Sequence, residues 1–379
     1  MPKQFKLVVD SLCEIHNLLV PYLDSEFYDL ANTDIVPGAV YLIGRKQFQD
    51  NVDLIRGLIE SNSILPVLAN PAEGSDTIRR QAESLGVTDL VTAGKIVILT
   101  GGDLPAELTN FCYEFFMTKP IEYNENLWAV EQYQTAWSVD RPYKFLFLNG
   151  RARSHRKYLI ERLAHLLDQS LWSNLDSTLC GHRELHYWVN GEDQLLVPGQ
   201  IKLLDPYYEV EHYRARMDMP SDGFVKYQLF DNQWGDIYIN PRAYSDTYFS
   251  LVTETVFDYP YSFRTEKIWK PIFVGHPFVA VANRGYYRDL QNLGFRTFGN
   301  LIDESFDLID NNQDRIERIA CVVEDLCRQD LAAFVQAADE TCKYNQQHLA
   351  EMQLKVRQEF PDRFFQFINE HYRDQFGPL

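Results

Sequence analysis

The sequence predicts an α/β protein built from two Rossmann-like domains, and three observations predict it. Apolar runs of strand length alternate with helical spacings through the first third. The alternation stops over a polar and aromatic stretch at 121–142, and it restarts at Tyr143. Short, continuous apolar runs alternating with helices are the pattern of a mainly parallel sheet covered by helices on both faces. A chain of 379 residues also exceeds one ordinary core. The domains fall at 1–140 and 141–345, followed by C-terminal helices at 346–379 that pack back toward the first domain.

The elements read in order. Strand-type runs stand at Phe5–Val9, Ala39–Ile43, Ile64–Leu68 and Lys95–Thr100, the last running into the turn Gly101-Gly102-Asp103. Between them, Gln47–Glu60 places Val52, Ile55, Leu58 and Ile59 at helical spacing, and Asp76–Leu85 reads as a second helix. After Pro142, Tyr143–Leu148 is a strand, and Ser154–Gln169 a helix with Leu159, Leu163, Leu166 and Leu167 on one face. The region 172–245 is rich in turn residues and aromatics and yields no placement. Regular elements return at Tyr248–Thr253 (strand), Thr265–Val274 (helix), Phe278–Val281 (strand) and Asp303–Gln329 (helix). Two amphipathic helices are expected within Gln346–Phe376.

A formal net charge of −18 repels polyanions at long range, which argues against nucleic acid as a primary partner. The six cysteines show no CxxC pair and no zinc spacing, and the N-terminus lacks an apolar leader. The longest uncharged apolar stretch, Pro271–Asn283, is too short to span a bilayer. A cytoplasmic protein with reduced thiols and no transmembrane segment is therefore expected.

Two constellations carry chemistry. The first is the turn Asn149-Gly150-Arg151-Ala152-Arg153-Ser154-His155-Arg156-Lys157. A strand, a glycine turn and a helix N-terminus bring backbone N–H groups and the positive end of the helix dipole to one place, and the arginine forks match phosphate oxygens. It contains neither GxGxxG nor a P-loop. The second is a strand ending at Glu254, a polar loop, and a helix opening at Thr265-Glu266-Lys267. The Glu266 carboxylate can accept from ribose hydroxyls, and the Lys267 ammonium can neutralise phosphate. The helix dipole disfavours a lysine in the first turn, so this one points to a ligand.

The run Phe263-Arg264-Thr265-Glu266-Lys267-Ile268-Trp269-Lys270, followed by Gly275-His276-Pro277-Phe278-Val279, resembles the donor-site signature of the α1,3-fucosyltransferase family. It is also similar to a broader group of bacterial and phage-encoded glycosyltransferase-like proteins. These share a later run present here as Gly294–Phe298 and Asp303–Asp307. The resemblance spans about 60 residues and extends weakly back to Phe145–Arg156. It implies a GT-B arrangement of two facing domains and a GDP- or UDP-linked sugar donor with no further cofactor. Glu266 would face the ribose, Lys267 the phosphates, and one of Arg151, Arg153 or Arg156 the diphosphate. Asn149, Gly150, Glu254, Arg264 and Thr265 complete the expected donor site. Val252-Thr253-Glu254-Thr255 replaces the family's Phe-Glu-Asn-Ser run, which bears on the choice of sugar and base.

A transferase of this kind moves the sugar to a hydroxyl on a glycan or other acceptor and needs a base to deprotonate it. Asp10, Glu14 and His16 after the first strand, and Asp103 after the fourth, are the candidates, each also readable as a turn or cap residue. No Asp-x-Asp triplet occurs, so an inverting, metal-independent transfer is expected, with cations stabilising the leaving diphosphate. His155, His182, His186 and His276 have no metal-ligand spacing. The competing readings are a non-catalytic nucleotide-sugar or glycan binder on a transferase fold and a transferase acting on protein or modified DNA.

Overall fold

The computed structural model describes residues 7–9, 16–19, 38–61, 64–102, 110–118, 140–149, 153–174, 185–189, 192–196 and 244–376. The chain divides into two compact units, Met1–Thr118 with Leu354–Leu379, and Lys119–Gln353. Both are α/β, with parallel sheets flanked by helices. The stretch read as the inter-domain crossing lies almost wholly outside the described residues, as does most of 172–245.

The first unit holds a five-stranded parallel sheet in the order β1 (Leu7–Val9), β2 (Ala39–Gly44), β3 (Ile64–Asn70), β4 (Val97–Thr100), β5 (Asn110–Cys112). Its central strands are runs of Val, Ile and Leu because both faces are covered; β2 is buried along its whole length. The four-residue helix α1 (His16–Leu19) follows β1. Where one helix is expected over Gln47–Glu60, two form: α2 (Arg45–Asp50) and α3 (Val52–Glu60). Asn51 breaks them, leaving helical geometry and turning its amide onto the Gln47 carbonyl at 2.8 Å. Ile55 and Ile59 enter the core with Phe48 and Ile43. Helices α4 (Ser75–Ser84) and α5 (Thr88–Thr92) lead to β4, and α6 (Phe115–Thr118) follows β5.

In the second unit, β6 (Tyr143–Asn149) leads into α7 (Ser154–Arg162), a 3-10 turn (Ala164–Gln169) and β7 (Leu171–Asn174). An antiparallel hairpin follows, β8 (Leu185–Val189) with β9 (Glu192–Leu196). Then come β10 (Thr247–Thr253), α8 (Glu266–Val274), β11 (Phe278–Val281) and α9 (Tyr286–Asn292). Strands β6, β7, β10 and β11 form a parallel sheet in the order β11-β10-β6-β7.

Helix α10 spans Asn312–Cys327, shorter than the expected Asp303–Gln329. The Asn311 side chain caps it by accepting from the Gln313 and Asp314 N–H groups, while Asp303 accepts from Ser305 N–H and turns the preceding segment. Helix α11 is one element, Leu331–Phe376, where two helices are expected. It runs through Pro361 because the apolar face continues across it: Phe360 and Phe364 are buried and stack at 5.8 Å. Their rings, with Phe367, surround Phe111 of β5 at 5.6–5.8 Å. The aromatic stripe near the C-terminus is thus part of the first unit's interior.

Candidate functional site

Strand order locates the site. The first unit's described strands follow one another in sequence across the sheet, so its connections all step in one direction. In the second unit the chain leaves β6 for β7 on one side, and β10 and β11 occupy the other. Connections diverge between β6 and β10, and ligands of open parallel sheets bind at such a divergence, beyond the carboxyl ends of the strands. Two nine-residue helices begin there, α7 after β6 and α8 after β10.

A buried carboxylate organises this end of the sheet. Glu254 is 0 % exposed. Its Oε1 accepts from Thr265 N–H at 3.0 Å and from the Tyr286 hydroxyl at 2.8 Å. Its Oε2 accepts from the Thr265 hydroxyl at 2.6 Å and from Thr255 N–H at 3.3 Å. Four donors from the loop, the α8 cap and α9 therefore converge on one side chain, which fixes where α8 begins. Thr265 in turn caps α8, accepting from Lys267 N–H at 3.4 Å.

The basic turn divides in two. Gly150 and Arg151 lie outside the described residues. Arg153 is the N-cap residue of α7 and is half-buried; among the described residues no side chain caps this helix. Arg156 is only 2 % exposed and turns under the helix, donating to the Thr253 and Glu254 carbonyls at 3.0 and 3.3 Å. Beside it His155 Nε2 lies 3.1 Å from the Glu254 carbonyl, and its ring stacks on Phe257. Burial first, then the charge of Arg156, with Arg153 and Lys267 adding to it, pushes this imidazole down to about 3. Neutral at ordinary pH, it donates to the carbonyl. Asn149, also buried, accepts from the Thr253 hydroxyl at 2.7 Å and ties β6 to β10. Arg264 is buried, 2 % exposed.

Glu266 and Lys267 occupy the first turn of α8, with side chains 15 % and 23 % exposed. Lys267 Nζ donates to Glu266 Oε1 at 2.9 Å, Thr265 Oγ1 at 3.0 Å and Thr255 Oγ1 at 3.3 Å. Burial alone would raise the Glu266 carboxyl, but the positive charges of Lys267 and Lys270 outweigh it and hold the group below the usual carboxylate range. The result is an end of the sheet where Arg153, Arg156 and Lys267 stand with the carboxylates Glu254 and Glu266 and where two helices begin.

The second run that carries the resemblance works inside the fold. Glu304 accepts from the Thr297 hydroxyl and Phe298 N–H, both at 2.7 Å, and burial pushes its carboxyl up to about 7. Asp307 caps α9, accepting from Tyr287 N–H at 3.0 Å and Arg288 N–H at 3.3 Å. His276 is likewise internal. Its Nε2 lies 2.8 Å from the Thr247 carbonyl and must donate to it, so Nδ1 accepts from the Ser250 hydroxyl at 2.8 Å. Burial, then Arg141, holds this imidazole down to about 3.

Of the candidate bases, Asp10, Glu14 and Asp103 lie outside the described residues, and His16 is described only as a helical residue of α1. Tyr286 and Thr255 join this cluster without having been candidates, and His155, expected only as part of the basic turn, joins it at the Glu254 carbonyl. Tyr286 carried one signal, a hydroxyl-bearing aromatic in the first turn of a helix that follows a strand. Among the described residues no three metal-ligating side chains converge, and no helix is long and apolar enough to cross a membrane. The chain matches no protein-family model, no curated protein and no solved structure.

Proposed function

We propose that this protein is a glycosyltransferase that takes its sugar from a nucleotide-linked donor, bound over the carboxyl ends of β6 and β10. The observation that carries the reading is the Glu266–Lys267 pair at the start of α8, set at the divergence point of a parallel sheet beside the N-terminus of α7. The resemblance of this segment to the α1,3-fucosyltransferase donor signature supports it. On this reading Lys267 and Arg153 neutralise the diphosphate and Glu266 accepts from the ribose hydroxyls. Arg156 acts from below, through the main chain of β10 that it holds.

In the reaction the acceptor hydroxyl attacks the anomeric carbon as the bond to the diphosphate oxygen breaks, with inversion. A base drawn from Asp103, Asp10, Glu14 or His16 takes the hydroxyl proton, and the cations stabilise the charge that develops on the leaving diphosphate. A GT-B arrangement would bring that base to the donor.

The test is a thermal-shift screen with GDP, UDP, CMP and dTDP and their sugars. One nucleotide should stabilise the chain selectively, by about 2.7 kcal/mol at a hundredfold excess over Kd. Lys267→Ala removes a charge-assisted contact to phosphate and should weaken that ligand roughly ten- to a hundredfold. Release of the nucleoside diphosphate from its sugar conjugate, with acceptor or water, distinguishes a transferase from a binding protein. Selective stabilisation that Lys267→Ala leaves unchanged would remove the donor site from this place.

A further inference from the structure

If the nucleotide reading above holds, the surroundings of Lys267 also decide what the site rejects. An ammonium has three N–H bonds, and all three of Lys267 are directed at oxygens of the protein: Glu266, Thr265 and Thr255. Thr265 has no freedom in this arrangement. Its single hydroxyl proton goes to Glu254 Oε2 at 2.6 Å, so it presents only lone pairs to Lys267. Thr255, at 3.3 Å, is the longest of the three contacts. Glu266 is the charged partner and the one in direct competition with any anion that approaches Lys267.

An arriving phosphate would place its charge within a few ångströms of the Glu266 carboxylate, and the two anions repel. Glu266 must then leave Lys267, yet its side chain is mostly buried, at 15 % exposure. A displaced carboxylate in that position needs hydrogen-bond donors. Inorganic phosphate or pyrophosphate brings mainly acceptors. A ligand carrying hydroxyl groups on the same frame as its phosphate brings donors to Glu266 as it brings charge to Lys267.

We propose that the Glu266–Lys267 pair is a latch opened by a ligand that presents phosphate and neighbouring hydroxyl groups together. The site therefore takes nucleotides and discriminates against inorganic pyrophosphate. The pair also holds Glu266 ionised, with Lys270 contributing, so the latch stays set across neutral pH.

The experiment is isothermal titration of pyrophosphate, GDP and UDP into the full chain and into Glu266→Ala, Lys267→Ala and the double variant. In the unmodified protein one nucleoside diphosphate should bind at least about tenfold more tightly than pyrophosphate, the factor set by one charge-assisted contact. Glu266→Ala should tighten pyrophosphate about tenfold and weaken the nucleoside diphosphate, so that the preference collapses. Adding Lys267→Ala should abolish the pyrophosphate gain. Pyrophosphate binding that Glu266→Ala leaves unchanged or weakens, with nucleoside diphosphate binding intact in the unmodified protein, overturns the latch alone. So does a gain that persists in the double variant, since it would come from the general field. If neither nucleoside diphosphate binds the unmodified protein, the nucleotide reading itself fails and the latch with it.

Discussion

Replacing Glu254 separates a residue that builds the site from one that touches ligand. In Glu254→Gln one carboxylate oxygen becomes an NH2 group. If that is Oε2, the Thr265 hydroxyl, whose lone pairs already accept from Lys267, and the Thr255 N–H both lose their acceptor. A buried donor left unpaired costs about 1–3 kcal/mol, and the remaining bonds lose their charge assistance. The sum is roughly 3 kcal/mol for Glu254→Gln and more for Glu254→Ala, which strands donors from Thr255, Thr265 and Tyr286 together. For a unit of this size that corresponds to a fall in Tm of roughly 6–12 °C. Calorimetry that resolves the unit Lys119–Gln353 provides the assay, with nucleotide titration beside it. A Glu254→Gln protein that keeps its Tm within about 1 °C but loses nucleotide affinity would refute the reasoning and make Glu254 a ligand contact.

Acid sensitivity follows from two buried histidines and is opposed by one half-buried carboxyl. His155 and His276 are held down to about 3, so the unfolded chain takes up their protons first, near 6.5; the stability they contribute is full above 6.5 and is lost as pH falls toward 3. Each costs about 2 kcal/mol by pH 5. Glu304, held up to about 7, works the other way: the folded state binds its proton first, so stability rises as pH falls from 7 toward 4.5. Glu304→Gln should steepen the acid loss in urea titrations between pH 8 and 5, and a profile that is flat below pH 6.5 in that variant would contradict the assignment. Transfer activity, once a donor is identified, should survive EDTA to within a few-fold, because the chain has no Asp-x-Asp triplet. Loss of most activity in EDTA, with recovery in manganese, would overturn that expectation.

Most strands of the two parallel sheets were legible, β5 and β7 excepted, because each is a short apolar run with nothing else for it to be: Ala39–Gly44, Ile64–Asn70 and Tyr143–Asn149 bury most of their side chains. Helix α8 was legible for a different reason, its cap. Thr265 bonds as a capping residue should, and Gly275 closes the helix in the left-handed conformation at φ 74°. Elements defined by tertiary packing were not legible. The pairing of β5, a three-residue strand, is decided by β4 beside it, and the continuity of α11 through Pro361 is decided by the ring cluster around Phe111.

The basic turn shows why charge counting alone could not sort the site. Its described arginines, Arg153 and Arg156, sit three residues apart in a run that suits phosphate, and nothing in their spacing distinguishes them. The sheet does. On its β11 side β10 is paired as far as Thr253, and Glu254 N–H bonds to Val281; on its β6 side the register runs only to Ser250 opposite Leu146. The carbonyls of Thr253 and Glu254 thus emerge beyond the β6 pairing, in a buried setting where main-chain acceptors must find donors. Arg156 and His155 supply them. The carboxyl end of a parallel sheet is where ligands bind and also where strand carbonyls outrun their partners, so a cation there answers to one demand or the other. Which demand it meets depends on the strand register, a long-range property that no local motif encodes. On the proposed reading Lys267 belongs to the ligand side of that division: its neighbours are the side-chain oxygens of Glu266, Thr265 and Thr255, not carbonyls of the sheet.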